Sequence, residues 1–224
     1  MKILGLDIST RTGWSLFESG RLVDFGLIEK SKPHFTDYGE YPYNFVEIAE
    51  DVAEQIFRLV LDKKPDKIVV EEVNKPGRFG SRFSQKILDS IHCLTLLKLK
   101  LLIPNDSIAY INTSDWRKKL NLSVIETKKK AKPFLKELAN LKKQYLSADK
   151  SDKKDIKLKI DTLKNDLKQR CILHNIDKKS ISVAHVNLVY GLNLKKGDND
   201  ISDAVCQIEA FLRGVHVISN TDIF

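Results

Sequence analysis

Lys2-Ile-Leu-Gly-Leu-Asp7-Ile-Ser-Thr-Arg-Thr-Gly13-Trp-Ser-Leu-Phe17 is the opening stretch, and the rest of the fold is read outward from it. Residues 2–7 form a continuous apolar run ending on an acid, residues 13–17 a second run, and residues 21–28 a third. Ser19-Gly20 between the last two suits a tight hairpin turn, so the three runs predict an antiparallel meander. Beyond a loop rich in aromatics and prolines, Phe45, Ile48, Ala49, Val52, Ile56, Leu59 and Val60 recur at helical spacing. Lys64-Pro65-Asp66 ends that helix and leads into Lys67-Ile-Val-Val-Glu71-Glu-Val73, a further strand.

A second helix is predicted over about 81–102, stopped by Pro104 and Asn105, then a strand over 107–112. A helix around Trp116 and a terminal helix over 201–213 follow. The long crossovers require parallel strands beside the initial hairpin, because a parallel pair cannot be joined by a tight turn. The expected fold class is therefore α/β: an RNase H-like mixed five-stranded sheet flanked by helices.

Between Phe134 and Cys171 the pattern changes. Leu135, Leu138, Leu141 and Tyr145, then Ile156, Ile160, Leu163 and Leu167, make narrow apolar stripes on otherwise charged helices. This predicts an inserted basic helical hairpin at about 130–175, within a single domain spanning residues 1–224.

The net charge is +8, which favours a polyanionic partner. Residues 128–170 hold fourteen Lys and one Arg against one Glu and five Asp, a net of +9, so the remainder sums to about −1. Three cysteines at wide spacing suggest a reducing compartment rather than a disulfide framework or a zinc site. The chain enters a strand without a basic, apolar leader, and its longest apolar stretch, residues 94–103, is interrupted by Lys98 and Lys100. A cytoplasmic protein without a membrane partner is expected.

Four acids stand where carboxylates are expensive: Asp7 at a strand end, Glu71 within a strand, and Asp200 with Asp203 at the start of the last helix. Singly, each has an ordinary reading. Asp7 could form a turn, one of Glu71 and Glu72 could be solvated, and Asp198 or Asp200 could cap a helix. Together they suggest a cation site, since desolvated carboxylates otherwise remain protonated. Phosphodiester hydrolysis uses two hard cations about 4 Å apart, and hard cations prefer carboxylate oxygen. The Asp200-x-x-Asp203 spacing puts both acids on one side of the helix.

The ordered set Ile3-Leu-Gly-Leu-Asp7 with Ser9 and Gly13, then Ile68-Val-Val-Glu71-Glu-Val73, then Asp200-Ile-Ser-Asp203-Ala-Val resembles the RuvC-type Holliday junction resolvases, particularly their phage-encoded members. The resemblance implies that Asp7, Glu71, Asp200 and Asp203 are the catalytic metal ligands. It also implies two Mg2+ ions, with Mn2+ as a substitute, and incision of four-way DNA junctions by a homodimer. Glu71 rather than Glu72 matches the family's strand glutamate, because the following Glu-Val matches its polar-valine continuation.

One departure concerns the aromatic wedge that such resolvases carry three residues after this glutamate, where this chain has Asn74. Phe79 and Phe83, beside Lys75, Arg78 and Arg82, are candidate replacements in a loop suited to phosphates. Core anchoring is the alternative for Phe83. Arg117 and Lys118 follow Trp116 in a short signature similar to that of phage-type members, with Trp116 expected to pack against the sheet edge. Lys128, Lys129, Lys130 and Lys132 cluster at an expected helix start, where cations oppose the macrodipole unless an anion is bound. All these cations are DNA-binding candidates. The hairpin's basic faces could clamp DNA, stabilise a dimer or remain solvated. His34, His92, His174, His185 and His216 show no metal-ligand spacing, and only His185 merits a catalytic test.

Three further readings stand beside it. The same fold could cut RNA:DNA hybrids or other branched DNA. Asp7-Ile-Ser-Thr-Arg-Thr-Gly13 also resembles the first phosphate loop of actin-like nucleotide-binding proteins, but no second Asp-x-Gly loop accompanies it. A DNA-binding structural protein with an inactive fold is opposed by the complete acid set.

Overall fold

The computed structural model describes residues 1–72, 82–169 and 177–219. Strands β1 (Lys2–Asp7), β2 (Arg11–Glu18) and β3 (Arg21–Glu29) form the expected meander. Ser19 and Gly20 both take positive φ (49° and 81°), the handedness that a tight hairpin turn needs. Helix α1 (Tyr43–Lys63) ends on Lys64 in the left-handed region and is followed by β4 (Lys67–Glu71). Helix α2 (Arg82–Leu99) precedes β5 (Ile108–Ile111) and α3 (Thr113–Lys119). Then come α4 (Val124–Ser147), α5 (Lys150–Gln169), α6 (Lys178–Tyr190), α7 (Asn199–Leu212) and a two-residue strand β6 (Ile218–Ser219).

The sheet order is β3-β2-β1-β4-β5-β6, with β1, β4 and β5 parallel and the other pairings antiparallel. The five expected strands are all present, and β6 adds a short edge that residues 218–219 gave no periodic signal for. Helix α6 was likewise not anticipated. It is announced by Asp177, whose side chain accepts from the Ser180 N–H (2.8 Å) in a capping box, and it ends at Gly191.

The chain divides into two compact units, Met1–Leu120 with Asp200–Phe224, and Asn121–Asn199. In the first unit, strand alternation sends Leu4, Leu6, Ile8, Ile68, Val70 and Ile108 into one core with the apolar faces of α1 and α2. The opposite sheet face, carrying Ile3, Gly5 and Asp7 of β1 and Val69 and Glu71 of β4, belongs to α7. A Cβ on Gly5 would lie 2.7 Å from the Ala204 carbonyl oxygen, and one on Gly13 would lie 2.0 Å from that of Asp200. Both positions must therefore be glycine for α7 to come this close. Ser15 Oγ donates to the Ala204 carbonyl (2.9 Å) across the same interface.

In the second unit, α4 and α5 pack through Leu138, Ile160 and Leu167, flanked by Leu141, Tyr145, Ile156 and Leu163. These are residues of the two stripes read from the sequence. Among the described residues, no helix is long and apolar enough to cross a membrane.

Candidate active site

Period-2 alternation sets which acids meet. Asp7 and Glu71 end adjacent parallel strands and point to the face that α7 covers, while Asp200 lies in the first turn of α7 and Asp203 follows at the start of its second. Glu72 falls outside this set: its carboxylate accepts from Asn112 Nδ2 (3.0 Å), and its N–H donates to the Ile111 carbonyl (2.9 Å). Side-chain parity thus puts Glu71, and not Glu72, on the face that α7 covers.

The fold brings Glu71, Asp200 and Asp203 into electrostatic reach of Asp7. Burial pushes the Asp7 carboxyl well above its ordinary range, the negative charges of Glu71, Asp203 and Asp200 push it further, and Arg117 pulls it back. Carboxylates at 71, 200 and 203 are each held by protein donors. Thr113 Oγ1 (2.5 Å), Trp116 Nε1 (3.1 Å) and Gln207 Nε2 (3.1 Å) donate to Glu71. Arg117 Nη2 reaches both oxygens of Asp203 (3.1 and 2.9 Å), and Arg11 Nη1 pairs with Asp200 at 3.3 Å. Arg11 also bridges to Glu29 at 2.8 Å, which ties the end of β3 to the start of α7.

Among the described residues, no three His, Cys, Asp or Glu side chains are already gathered in metal-holding geometry. The chemistry of the set nevertheless suits a divalent cation: four carboxyl groups with hard oxygen atoms, one of them driven toward protonation by burial and by the charges of the other three.

Several candidates stand elsewhere than expected. Arg117, anticipated among phosphate-binding cations, is only 9% exposed and faces the acids, whereas its neighbour Lys118 is exposed. Trp116 is wholly buried, as anticipated, and is in addition a hydrogen-bond donor to the site. Lys128, Lys129, Lys130 and Lys132 are exposed. Helix α4 begins at Val124, however, so they occupy its second and third turns. The dipole effect fades beyond the first turn, so it says little about a bound anion there.

His92 is buried in the first unit with Nε2 3.2 Å from the Ile8 carbonyl, and His185 lies on α6 in the second unit. Asn74, Lys75, Arg78, Phe79 and His174 lie outside the described residues, as do the side chains of Arg82 and Phe83.

Arg11, Thr113 and Gln207 were missed. For Gln207 a signal existed, since it follows Asp203 by four residues and shares its helix face. Thr113 sits just past β5, the strand paired with β4, so its proximity to Glu71 follows only from strand order.

No family model and no curated protein sequence matches the chain. Solved structures do. Thermus thermophilus RuvC in complex with a Holliday junction substrate aligns with a TM-score of 0.53 at 10% identity, covering 97% of this chain and all of that one. A second T. thermophilus RuvC structure aligns at 0.47 and 11% identity over the same shares. The yeast mitochondrial Holliday junction resolvase Ydc2 aligns at 0.45 and 13% identity, covering 94% of this chain and 77% of its own. The mixed sheet order and the alignment over nearly the full length agree: the chain has the RNase H-like fold seen in T. thermophilus RuvC.

Proposed function

We propose that this protein is a divalent-metal-dependent endonuclease that resolves four-way or closely related branched DNA by phosphodiester hydrolysis. The observation that carries this reading is the convergence of Asp7, Glu71, Asp200 and Asp203 from three separated chain segments on one sheet face. Its setting is a fold similar to that of a protein described in complex with a Holliday junction.

Asp7, Glu71, Asp200 and Asp203 would hold the cations, Mg2+ or in its place Mn2+. When bound, a pair of such ions lowers the pKa of a water and neutralises charge on the scissile phosphate. The chain's own residues do the rest. Thr113, Trp116 and Gln207 restrain Glu71 to one orientation, and Arg11 restrains Asp200. Lys118, Lys128, Lys129, Lys130 and Lys132, with Lys75, Arg78, Phe79 and Arg82, form the DNA-binding set. In this reading the second unit is an insertion into a single nuclease domain, and the working assembly on a two-fold symmetric junction is a homodimer acting inside the cell.

The test is cleavage of a fixed synthetic four-way junction with Mg2+, beside flap, duplex and RNA:DNA hybrid substrates, with the cut strands mapped. Junction-selective incision is expected, and Asp7→Asn should reduce it below detection while leaving junction binding intact. Undiminished turnover by that variant would remove the assignment. Preference for the hybrid would favour a ribonuclease of the same fold, and stabilisation by ATP with no nuclease activity would favour the actin-like class.

A further inference from the structure

Helix α3 touches two of the four acids with two consecutive residues. Trp116 Nε1 donates to Glu71, and Arg117 Nη2 contacts both oxygens of Asp203 at 3.1 and 2.9 Å. The two side chains also lie against each other, with the guanidinium carbon of Arg117 4.2 Å from the centre of the Trp116 ring. Arg117 and Asp203 are each 9% exposed, so this pair is largely withdrawn from water. A guanidinium keeps its charge at any physiological pH and stacks on aromatic faces, whereas a lysine ammonium would be less well matched to this slot. Glu71, Asp203 and Asp200 concentrate negative charge beside buried Asp7, so a cation in the pocket offsets charge that the fold brings together. The chain supplies two of its own, Arg11 at Asp200 and Arg117 at Asp203, and the more buried of them, Arg117, contacts both Asp203 oxygens, which a divalent ion would use.

We propose that Arg117 is the built-in counter-cation of the carboxylate pocket: it pairs with Asp203 while no divalent ion is present and must yield Asp203 when one binds. The proposal rests on the reading that the four acids form a cation site. It makes Arg117 a positioning residue that lowers the pocket's affinity for divalent ions while keeping the ion-free pocket folded. Breaking a buried charge pair by truncating one partner leaves the other charge uncompensated, so the ion-free protein should weaken. The same truncation removes a positive charge that repels the incoming ion.

The experiment is calorimetric titration of Ca2+ and Mn2+ into the full-length protein without DNA, with melting in chelator, for wild type, Arg117→Met, Arg117→Lys and Asp7→Asn. Arg117→Met should melt lower in chelator and bind both ions on the order of 10-fold more tightly, a competition factor within the usual range for coupled sites. Arg117→Lys should fall between the two. In a Trp14→Phe background, Ca2+ should also change Trp116 emission, because the stacked guanidinium moves; this readout leaves Arg117 in place and stands even if Arg117→Met does not fold. Equal or weaker ion binding by Arg117→Met, or Trp116 emission indifferent to saturating Ca2+, overturns the role of Arg117. If wild type binds the ions and Asp7→Asn does not, the cation site survives that failure. If wild type itself binds neither ion, the cation-site reading falls and this inference falls with it.

Discussion

His92 shows how a side chain away from the acids still bears on them. Its Nε2 lies 3.2 Å from the carbonyl of Ile8, the residue after Asp7, and burial holds its pKa below the ordinary histidine value despite that contact and nearby Asp89. The neutral ring must then carry its proton on Nε2 in order to donate to Ile8. Unfolded, His92 takes up a proton near pH 6.5, whereas folded it does so only at lower pH. Between those values the unfolded state binds more protons, so stability rises with pH through this window and falls as pH drops below about 6.5. Chemical denaturation from pH 5 to 8 should show that slope, and His92→Phe should flatten it. Asp7 has the opposite sense. Its raised pKa means the ion-free pocket resists its charge, so Asp7→Asn should raise the melting temperature in chelator even as it removes cleavage.

Helix α7 is the element on which the site depends, and the glycines of β1 and β2 set how closely it lies. Gly13→Ala would place a methyl carbon 2.0 Å from the Asp200 carbonyl oxygen, and backbone on both sides leaves no flexible side chain to yield. The helix start would have to lift, taking Asp200 with it and disturbing Asp203 one turn on. A loss of about 3 kcal/mol or more is expected in urea unfolding, with cleavage falling further than stability alone explains. Gly5→Ala, where the Cβ would meet the Ala204 oxygen at 2.7 Å and the flexible Ile208 side chain at 2.8 Å, should be milder. A Gly13→Ala protein as stable as wild type would mean that α7 is not seated as described.

Charge separates cleanly between the two units. Asn121–Asn199 contains eighteen Lys and one Arg against two Glu and seven Asp, a net of +10, which leaves about −2 for the unit that carries the acids. A pocket of carboxylates repels a phosphate backbone until cations fill it, so under the proposed function the attraction to DNA comes from elsewhere in the chain. Replacing Lys128, Lys129, Lys130 and Lys132 together by Gln should weaken junction binding and reduce the slope of log K against log salt by up to roughly 0.9 for each phosphate that these lysines neutralise. Titrations at several salt concentrations measure it. An unchanged slope would mean that these exposed lysines remain solvated in the complex.

Much of this was legible in the chain before any fold was known. Continuous apolar runs in residues 2–7, 67–71 and 108–111, the Ser19-Gly20 turn and the helical spacing of α1 point to a mixed sheet, because strands covered on both faces read as unbroken apolar runs and a helix covered on one face reads as a periodic stripe. The order of Asp7, Glu71, Asp200 and Asp203 along those elements was legible for the same reason. Arg117 and Lys118 are adjacent cations on one short helix, and nothing local distinguishes them. One turns to Asp203 and the other to water only because β5 delivers α3 beside the end of β4, and because Gly5 and Gly13 let α7 approach the sheet. The donors on Glu71 come from positions 42, 45 and 136 residues away. Pairings across such separations are set by how elements pack, and no short-range periodicity records them.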